Sequence, residues 1–320
     1  MRLAIINDYQ ELAADCADWQ QLEPDVSVDI FCDRLTDKKV AAERLAPYEI
    51  VIAAREETLF DNALVSQLHK LKLLVTHGMN NAAFDMDALG TRGVTVCGTT
   101  YGWTQATTAE TTWALILSLS KHVPAEDRTV REGGWGAGLP MGLTGRTLGV
   151  LGLGQIGERV ARTAKTFDMN VIAWSENLTE KRCADVGVQH VDKERLFRQS
   201  DVLSVHLKLG NRTRGLVGRA ELALMKPTAL VINTSRGPII DEDALINALE
   251  NGRIGGAGLD VFNTEPLPPD HRLRHLSNTV VLSHIGGRTK ENFAARYREA
   301  LEDVVAWLAG KPVRVIASPA

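Results

Sequence analysis

Cysteine, net charge and long apolar runs are all scarce in this chain. Its four cysteines, Cys16, Cys32, Cys97 and Cys183, are scattered without a C-x-x-C pair. That spacing excludes the paired thiols of zinc sites and dithiol catalysts, and it points to reduced thiols rather than a disulfide framework. A formal net charge of −4 provides no field for nucleic acid or an acidic membrane, so neither is expected as a partner. The longest apolar candidate, residues 113–119, falls far short of the roughly eighteen residues that cross a bilayer. The opening Met1-Arg2-Leu3-Ala4-Ile5-Ile6 is apolar too briefly for a signal segment and runs into Asn7-Asp8. It reads as a first strand, and the cytoplasm is the expected location. His271 and His275 have the i, i+4 spacing of a metal pair beside Asp270, but Pro266, Pro268 and Pro269 precede them; a loop is expected there, and no metal.

What the chain does have is alternation. At 320 residues, 44% hydrophobic and 24% charged, it suits two domains with a core each. Up to about residue 98, apolar runs at 3–6, 50–53, 73–76 and 94–97 alternate with helical spacing such as 63–71, which is α/β patterning. Residues 99–108 turn polar and read as the crossing between lobes. Residues 109–122 then predict an amphipathic helix stopped by Pro124. Residues 131–144 are glycine-rich and aperiodic, so they read as a loop within which Trp135 is expected to pack. Strands are expected at 147–151, 170–174, 202–205, 229–233, 255–259 and 279–282, with helices between them. Such an order makes a parallel sheet wound in right-handed units and covered on both faces. Residues 289–308 predict one further helix, and 313–316 offer a strand to the first lobe.

The run Gly152-Leu153-Gly154-Gln155-Ile156-Gly157 is a G-x-G-x-x-G motif. Its context gives it weight, because it follows the apolar strand Leu148-Gly149-Val150-Leu151 and opens a helical stretch over 158–167. Dinucleotide binding requires that arrangement. Gly152 makes the tight turn, Gly154 lets backbone approach a pyrophosphate, Gly157 allows close helix–sheet packing, and the helix N-terminus faces the anion. The next strand ends at Trp174, which puts Ser175 or Glu176 at the adenosine ribose. Ser175 stands where an acid is usual. Glu176 can accept from the ribose hydroxyls and would repel a 2′-phosphate, while the nearest cations, Lys181 and Arg182, lie farther on. NAD is the expected cofactor, with NADP left open.

Chemistry in an open α/β sheet sits outside the carboxyl ends of its strands. Three ionisable residues fall there: Arg236 after Val231-Ile232-Asn233, Glu265 after Gly258-Leu259-Asp260-Val261-Phe262, and His284 after Val280-Val281-Leu282-Ser283. Taken singly, each could be a solvated or capping residue. Together they suit hydride transfer to a 2-oxo acid, which needs a cation for the carboxylate and a proton donor for the carbonyl oxygen. A guanidinium binds a carboxylate bidentately, and histidine exchanges a proton near neutral pH. Glu265 would accept from the other imidazole nitrogen and fix the ring. His206, at the end of the strand at 202–205, is expected near the cofactor by the same geometry, though packing alone would also explain it.

Four motifs, Gly145-Arg146-Thr147-Leu148-Gly149 before the glycine loop, Asn233-Thr234-Ser235-Arg236-Gly237, Gly258 to Phe262 through Glu265-Pro266-Leu267, and Ser283-His284-Ile285-Gly286-Gly287, resemble in order the signatures of the D-isomer-specific 2-hydroxyacid dehydrogenase family over nearly the whole chain. The resemblance implies Arg236, Glu265 and His284 as catalytic residues. It implies Asp260 near the nicotinamide amide, with Thr234, Ser235 and Gly287 lining the cofactor. It also implies two Rossmann-like parallel-sheet domains, a discontinuous outer substrate domain of residues 1–98 and 289–320 around a nucleotide-binding domain of residues 99–288, and a homodimer joined through the nucleotide domains.

In that family, backbone amides of an outer-domain loop bind the substrate carboxylate. The matching stretch is Thr76-His77-Gly78-Met79-Asn80-Asn81, which makes His77, Gly78 and Met79 substrate-binding candidates. His77 or Asn80 could reach the substrate, although a lone loop histidine is more often structural. Arg55 matches a position where some relatives hold a cation facing the cleft, but Glu56 and Glu57 beside it argue against a phosphorylated substrate. The expectation is an NAD-dependent oxidoreductase acting on a small 2-oxo acid such as glyoxylate or hydroxypyruvate. Its alternatives are a D-3-phosphoglycerate dehydrogenase and a non-catalytic, NAD(H)-sensing corepressor-like protein.

Overall fold

The computed structural model describes residues 1–53, 57–100 and 102–317. They divide into two compact units, Met1–Trp103 with Thr289–Ala320, and Thr104–Arg288.

In the first unit, β1 (Arg2–Ile6), β2 (Ser27–Ile30), β3 (Ile50–Ala53), β4 (Leu73–Thr76) and β5 (Thr95–Gly98) run parallel in the order β2-β1-β3-β4-β5. β3 and β4 are buried at every position, as strands covered on both faces must be. Successive side chains serve opposite cores. Ala4, Ile6, Val51 and Leu74 pack with Phe60, Leu64 and Leu89, whereas Leu3, Ile5, Ile50 and Leu73 pack with Trp19, Phe293 and Tyr297. The helix expected at 63–71 is short, ending as Asn62–Val65. The Ser66 hydroxyl and Gln67 amide both bond to the Ala63 carbonyl, a local alternative to further helix, and Leu68 and Leu71 are buried by the turn instead.

In the second unit, β6 (Thr147–Leu151), β7 (Asn170–Trp174), β8 (Gln189–His190), β9 (Val202–Val205), β10 (Leu230–Asn233), β11 (Gly256–Leu259) and β12 (Thr279–Val281) form one parallel sheet in the order β12-β11-β10-β9-β6-β7-β8. The winding reverses between β6 and β9, the switch point where α/β sheets open a crevice. The edge strands β2 and β8 were not foreseen. One is half-exposed and the other has two residues, so neither carries an apolar run.

Three expectations near the start of this unit need correction. The helix runs Thr104–Ser120, beginning inside the polar stretch taken for a crossing. There Thr107, Thr108, Thr111 and Thr112 return their hydroxyls to carbonyls one turn back. Pro124 stops nothing; it lies in the first turn of a second helix, Val123–Arg131, where a missing N–H costs nothing. Left-handed His122 (φ 54°) separates the two helices. Trp135 does not pack within its loop. It is 91% exposed and Leu139 is 95% exposed.

The chain then returns to the first unit. The helix Lys290–Leu308, capped by Thr289, buries Phe293, Tyr297, Ala300, Leu301 and Val304, and β13 (Val315–Ala317) pairs antiparallel with β5. Among the described residues no helix is long and apolar enough to cross a membrane.

Candidate active site

The glycine loop joins β6 to the helix Gln155–Ala164. Gly152 has φ 101°, and its N–H bonds to the Trp174 carbonyl at 3.0 Å, tying the loop to the end of β7. A Cβ on Gly157 would lie 2.1 Å from the Gly152 carbonyl oxygen, whereas the space around Gly154 is open. The first helical bond runs from Glu158 N to Gly154 O at 2.8 Å, and no side chain caps the helix. The N–H groups of Gln155, Ile156 and Gly157 therefore precede the hydrogen-bonded ladder, as groups that bind an anion do. The loop fits a pyrophosphate.

Ser175 is half-buried and Glu176 exposed beyond β7. Arg182, distant in sequence, returns to the loop in space. Its Nη2 lies 2.5 Å from Glu158 Oε2 and 3.5 Å from the Leu153 carbonyl. Lys181 pairs with Asp185 instead.

At the end of β10, buried Asn233 shapes the turn that carries Arg236. Its Oδ1 accepts from Ser235 N at 3.0 Å and its Nδ2 donates to Arg236 O at 3.1 Å. Arg236 Nη1 donates to the Ser235 carbonyl at 2.8 Å. Thr234 Oγ1 meets Thr112 Oγ1 at 2.8 Å, and the Ser235 hydroxyl donates to the Leu207 carbonyl.

Glu265 and His284 meet. Glu265 Oε2 lies 2.6 Å from His284 Nδ1, and Oε1 accepts from Phe262 N at 2.9 Å. Burial pushes the Glu265 carboxyl up, but the His284 hydrogen bond and charge, the Phe262 N–H and the Arg236 charge outweigh it and hold the group below its ordinary range. His284 adopts φ 58°, a left-handed conformation that costs a non-glycine residue and persists only where the surroundings impose it. Asp260 supplies the constraint. Its carboxylate accepts from Ile285 N at 2.7 Å and Gly286 N at 2.8 Å, the two amides after His284. Burial raises the Asp260 carboxyl, partly offset by those same N–H groups. Gly287 follows in the turn closed by Arg288 N to Ile285 O at 2.9 Å. The bonding of Asp260 to that turn, and the part of Asn233 in the Arg236 turn, were missed in the sequence; a polar residue directly after an apolar strand is the signal that could have found both.

His206 bonds through Nε2 to Ser204 Oγ at 2.8 Å, and desolvation lowers it to about 3. It is a neutral ring tied to its own strand. His271 lies 3.3 Å from Glu242.

In the first unit, the His77 ring is turned into the core. It packs edge-on against Phe293 and Tyr297, and its Nε2 is buried without a partner among the described residues. Burial, followed by the Arg296 charge, lowers it to about 3. That corrects the reading of His77 as a side chain reaching substrate; the C-terminal helix claims it. The N–H of His77 bonds to Ala53 O at 3.4 Å and that of Gly78 to Thr99 Oγ1 at 3.0 Å, while Met79 and Asn80 beyond them are exposed. Asn81 braces the loop from Thr76 to Ala83. Arg55 and Glu56 lie outside the described residues, and Glu57 accepts from the Tyr9 hydroxyl at 3.0 Å.

Comparison with known proteins gives this geometry a context. Residues 113–286 match the family model described as D-isomer specific 2-hydroxyacid dehydrogenase, NAD binding domain. A glyoxylate reductase of Aeropyrum pernix is 38% identical over 283 residues, covering 83% of this chain and 84% of that one. A D-3-phosphoglycerate dehydrogenase of Archaeoglobus fulgidus is 34% identical over 98% of this chain, which spans only 58% of that longer protein. Among solved structures, a phosphoglycerate oxidoreductase of Vibrio cholerae O395 superposes with TM-score 0.90 at 33% identity, covering 97% of this chain and 99% of that one. A D-lactate dehydrogenase of Aquifex aeolicus, complexed with NAD and lactic acid, does so with TM-score 0.81 at 26% identity over 97% and 96%. Agreement of that breadth, in sequence and in both sheets, is membership: the chain belongs to the D-isomer specific 2-hydroxyacid dehydrogenase family and is an NAD-dependent oxidoreductase.

Proposed function

We propose that this enzyme reduces a small 2-oxo acid, glyoxylate or hydroxypyruvate, to the D-2-hydroxy acid with NADH. The observation that carries the reading is the 2.6 Å contact between Glu265 Oε2 and His284 Nδ1 at the strand ends of the sheet that holds the glycine loop. Glu265 occupies Nδ1, so Nε2 is the ring nitrogen that serves the substrate. Arg236 holds the carboxylate bidentately and polarises the adjacent carbonyl. His284 passes its Nε2 proton to the carbonyl oxygen as the carbon is reduced, and in the reverse direction takes that proton from the hydroxyl. The bound nicotinamide supplies the hydride. The discontinuous unit, Met1–Trp103 with Thr289–Ala320, serves the substrate and Thr104–Arg288 the nucleotide.

Substrate choice draws on relatives named glyoxylate reductase and glyoxylate/hydroxypyruvate reductase B. Glu176, without a positively charged partner among the described residues, favours NAD over NADP. The solvent-exposed Trp135 and Leu139 on one arm of the nucleotide unit support a homodimer, and the unpaired cysteines suit the cytoplasm.

The test is a panel of small 2-oxo acids with NADH and NADPH, together with the configuration of the product. Turnover of glyoxylate or hydroxypyruvate to the D-isomer, falling roughly 10²–10⁴-fold in His284→Ala, is expected. Preference for a phosphorylated 2-oxo acid would transfer the assignment to D-3-phosphoglycerate dehydrogenase, and cofactor binding without turnover would transfer it to an NAD(H)-sensing role.

A further inference from the structure

We propose that Glu158 sets cofactor selectivity at a distance, by holding the Arg182 guanidinium against the glycine loop so that a 2′-phosphate meets Glu176 without a compensating cation. The inference rests on the nucleotide reading of the loop.

Three contacts define the device. Gly152 N bonds to Trp174 O, so Leu153 on the loop and Ser175 after β7 stand just beyond the ends of two paired strands, the place of the adenosine ribose. Arg182, near the start of the helix Glu180–Val186, reaches back to the Leu153 carbonyl. It is the residue type suited to a phosphate. Its charge is already committed, because Glu158 Oε2 takes Arg182 at 2.5 Å while Oε1 takes Arg162 at 2.8 Å. These two guanidiniums, Arg162 first, hold the Glu158 carboxyl below its ordinary range, so the clamp is ionised at neutral pH.

On the other side, the Ser175 hydroxyl and the Glu176 carboxylate have no hydrogen-bond or ion-pair partner among the described residues. They remain available to ribose hydroxyls. A 2′-phosphate placed there meets one free carboxylate and one arginine turned to a different anion. Selectivity then depends on two terms: repulsion by Glu176 and sequestration of Arg182. The second can be removed without touching the ribose position.

Calorimetric titration with 5′-AMP and adenosine 2′,5′-bisphosphate reads this device without turnover. The wild type should favour 5′-AMP. Glu158→Gln should shift the affinity ratio toward the bisphosphate by roughly tenfold, the worth of one charge-assisted hydrogen bond. Adding Arg182→Gln should abolish the shift, and Arg182→Gln alone should keep the wild-type ratio. An unchanged ratio in Glu158→Gln, a shift that survives loss of Arg182, or a weaker bisphosphate affinity in Arg182→Gln alone would each overturn the proposal. A wild type that bound neither nucleotide would overturn the cofactor reading along with it.

Discussion

His77 and His284 both follow a strand end, and their neighbours send them opposite ways. Asp260 bonds the two amides after His284 and fixes its backbone, whereas Phe293 and Tyr297 draw the His77 ring inward. The sequence shows a histidine at a strand end in each case. It does not show which helix, more than two hundred residues later, will cover the first. Arg236, Glu265 and His284 could be read together because each lies just past a strong apolar run. Their hydrogen bonds depend on turn geometry that no spacing encodes. The buried His77 has a consequence for pH. Its folded value of about 3 lies below the ordinary 6.5, so between those values the unfolded chain binds a proton that the folded one refuses. Acid therefore favours unfolding across that window, and stability rises with pH. His206 acts in the same direction. Melting temperature measured against pH should climb less steeply in His77→Leu than in wild type, and parallel curves would count against this assignment.

Central elements declared themselves and edge elements did not. β3, β4, β9 and β10 are short apolar runs buried end to end, so the solvent-excluding pattern is written in each. β2 and β8 take their strand geometry from a neighbour, and the second helix starting at Val123 hid behind Pro124. The glycine loop was legible as a motif, and the structure supplies its tolerance. With a Cβ on Gly157 only 2.1 Å from the Gly152 oxygen, Gly157→Ala must push the helix from the loop, at a cost of roughly 1–3 kcal/mol as for other overpacking. NADH affinity, followed by fluorescence titration, should fall at least several-fold, accompanied by a lower melting temperature. Wild-type affinity in this variant would show that the close approach is not needed for binding.

Patterning alone offered residues 313–316 to the first lobe, and likeness to a family added the helix before them, since the segment that returns to the first unit lies far from it in sequence. Periodicity showed a helix near residue 300 but not the sheet it covers. The exposed arm is the other whole-molecule feature that periodicity misjudged. An indole 91% exposed and a leucine 95% exposed on one short segment are the residues on which the proposed dimer depends. Light scattering should give the mass of two chains for the wild type and of one for Trp135→Glu/Leu139→Glu. A wild-type monomer, or a double variant that still pairs, would remove the arm from the interface.

The return of the chain to its first unit also has a temporal side. On the ribosome, β1 to β5 emerge well before the helix whose Phe293, Tyr297, Leu301 and Val304 cover one of their faces. The inserted unit, Thr104–Arg288, has all its strands in hand earlier. The sheet of the first unit is thus completed only after the inserted unit's strands have all been made, and during that interval its bare apolar face is open to misassociation.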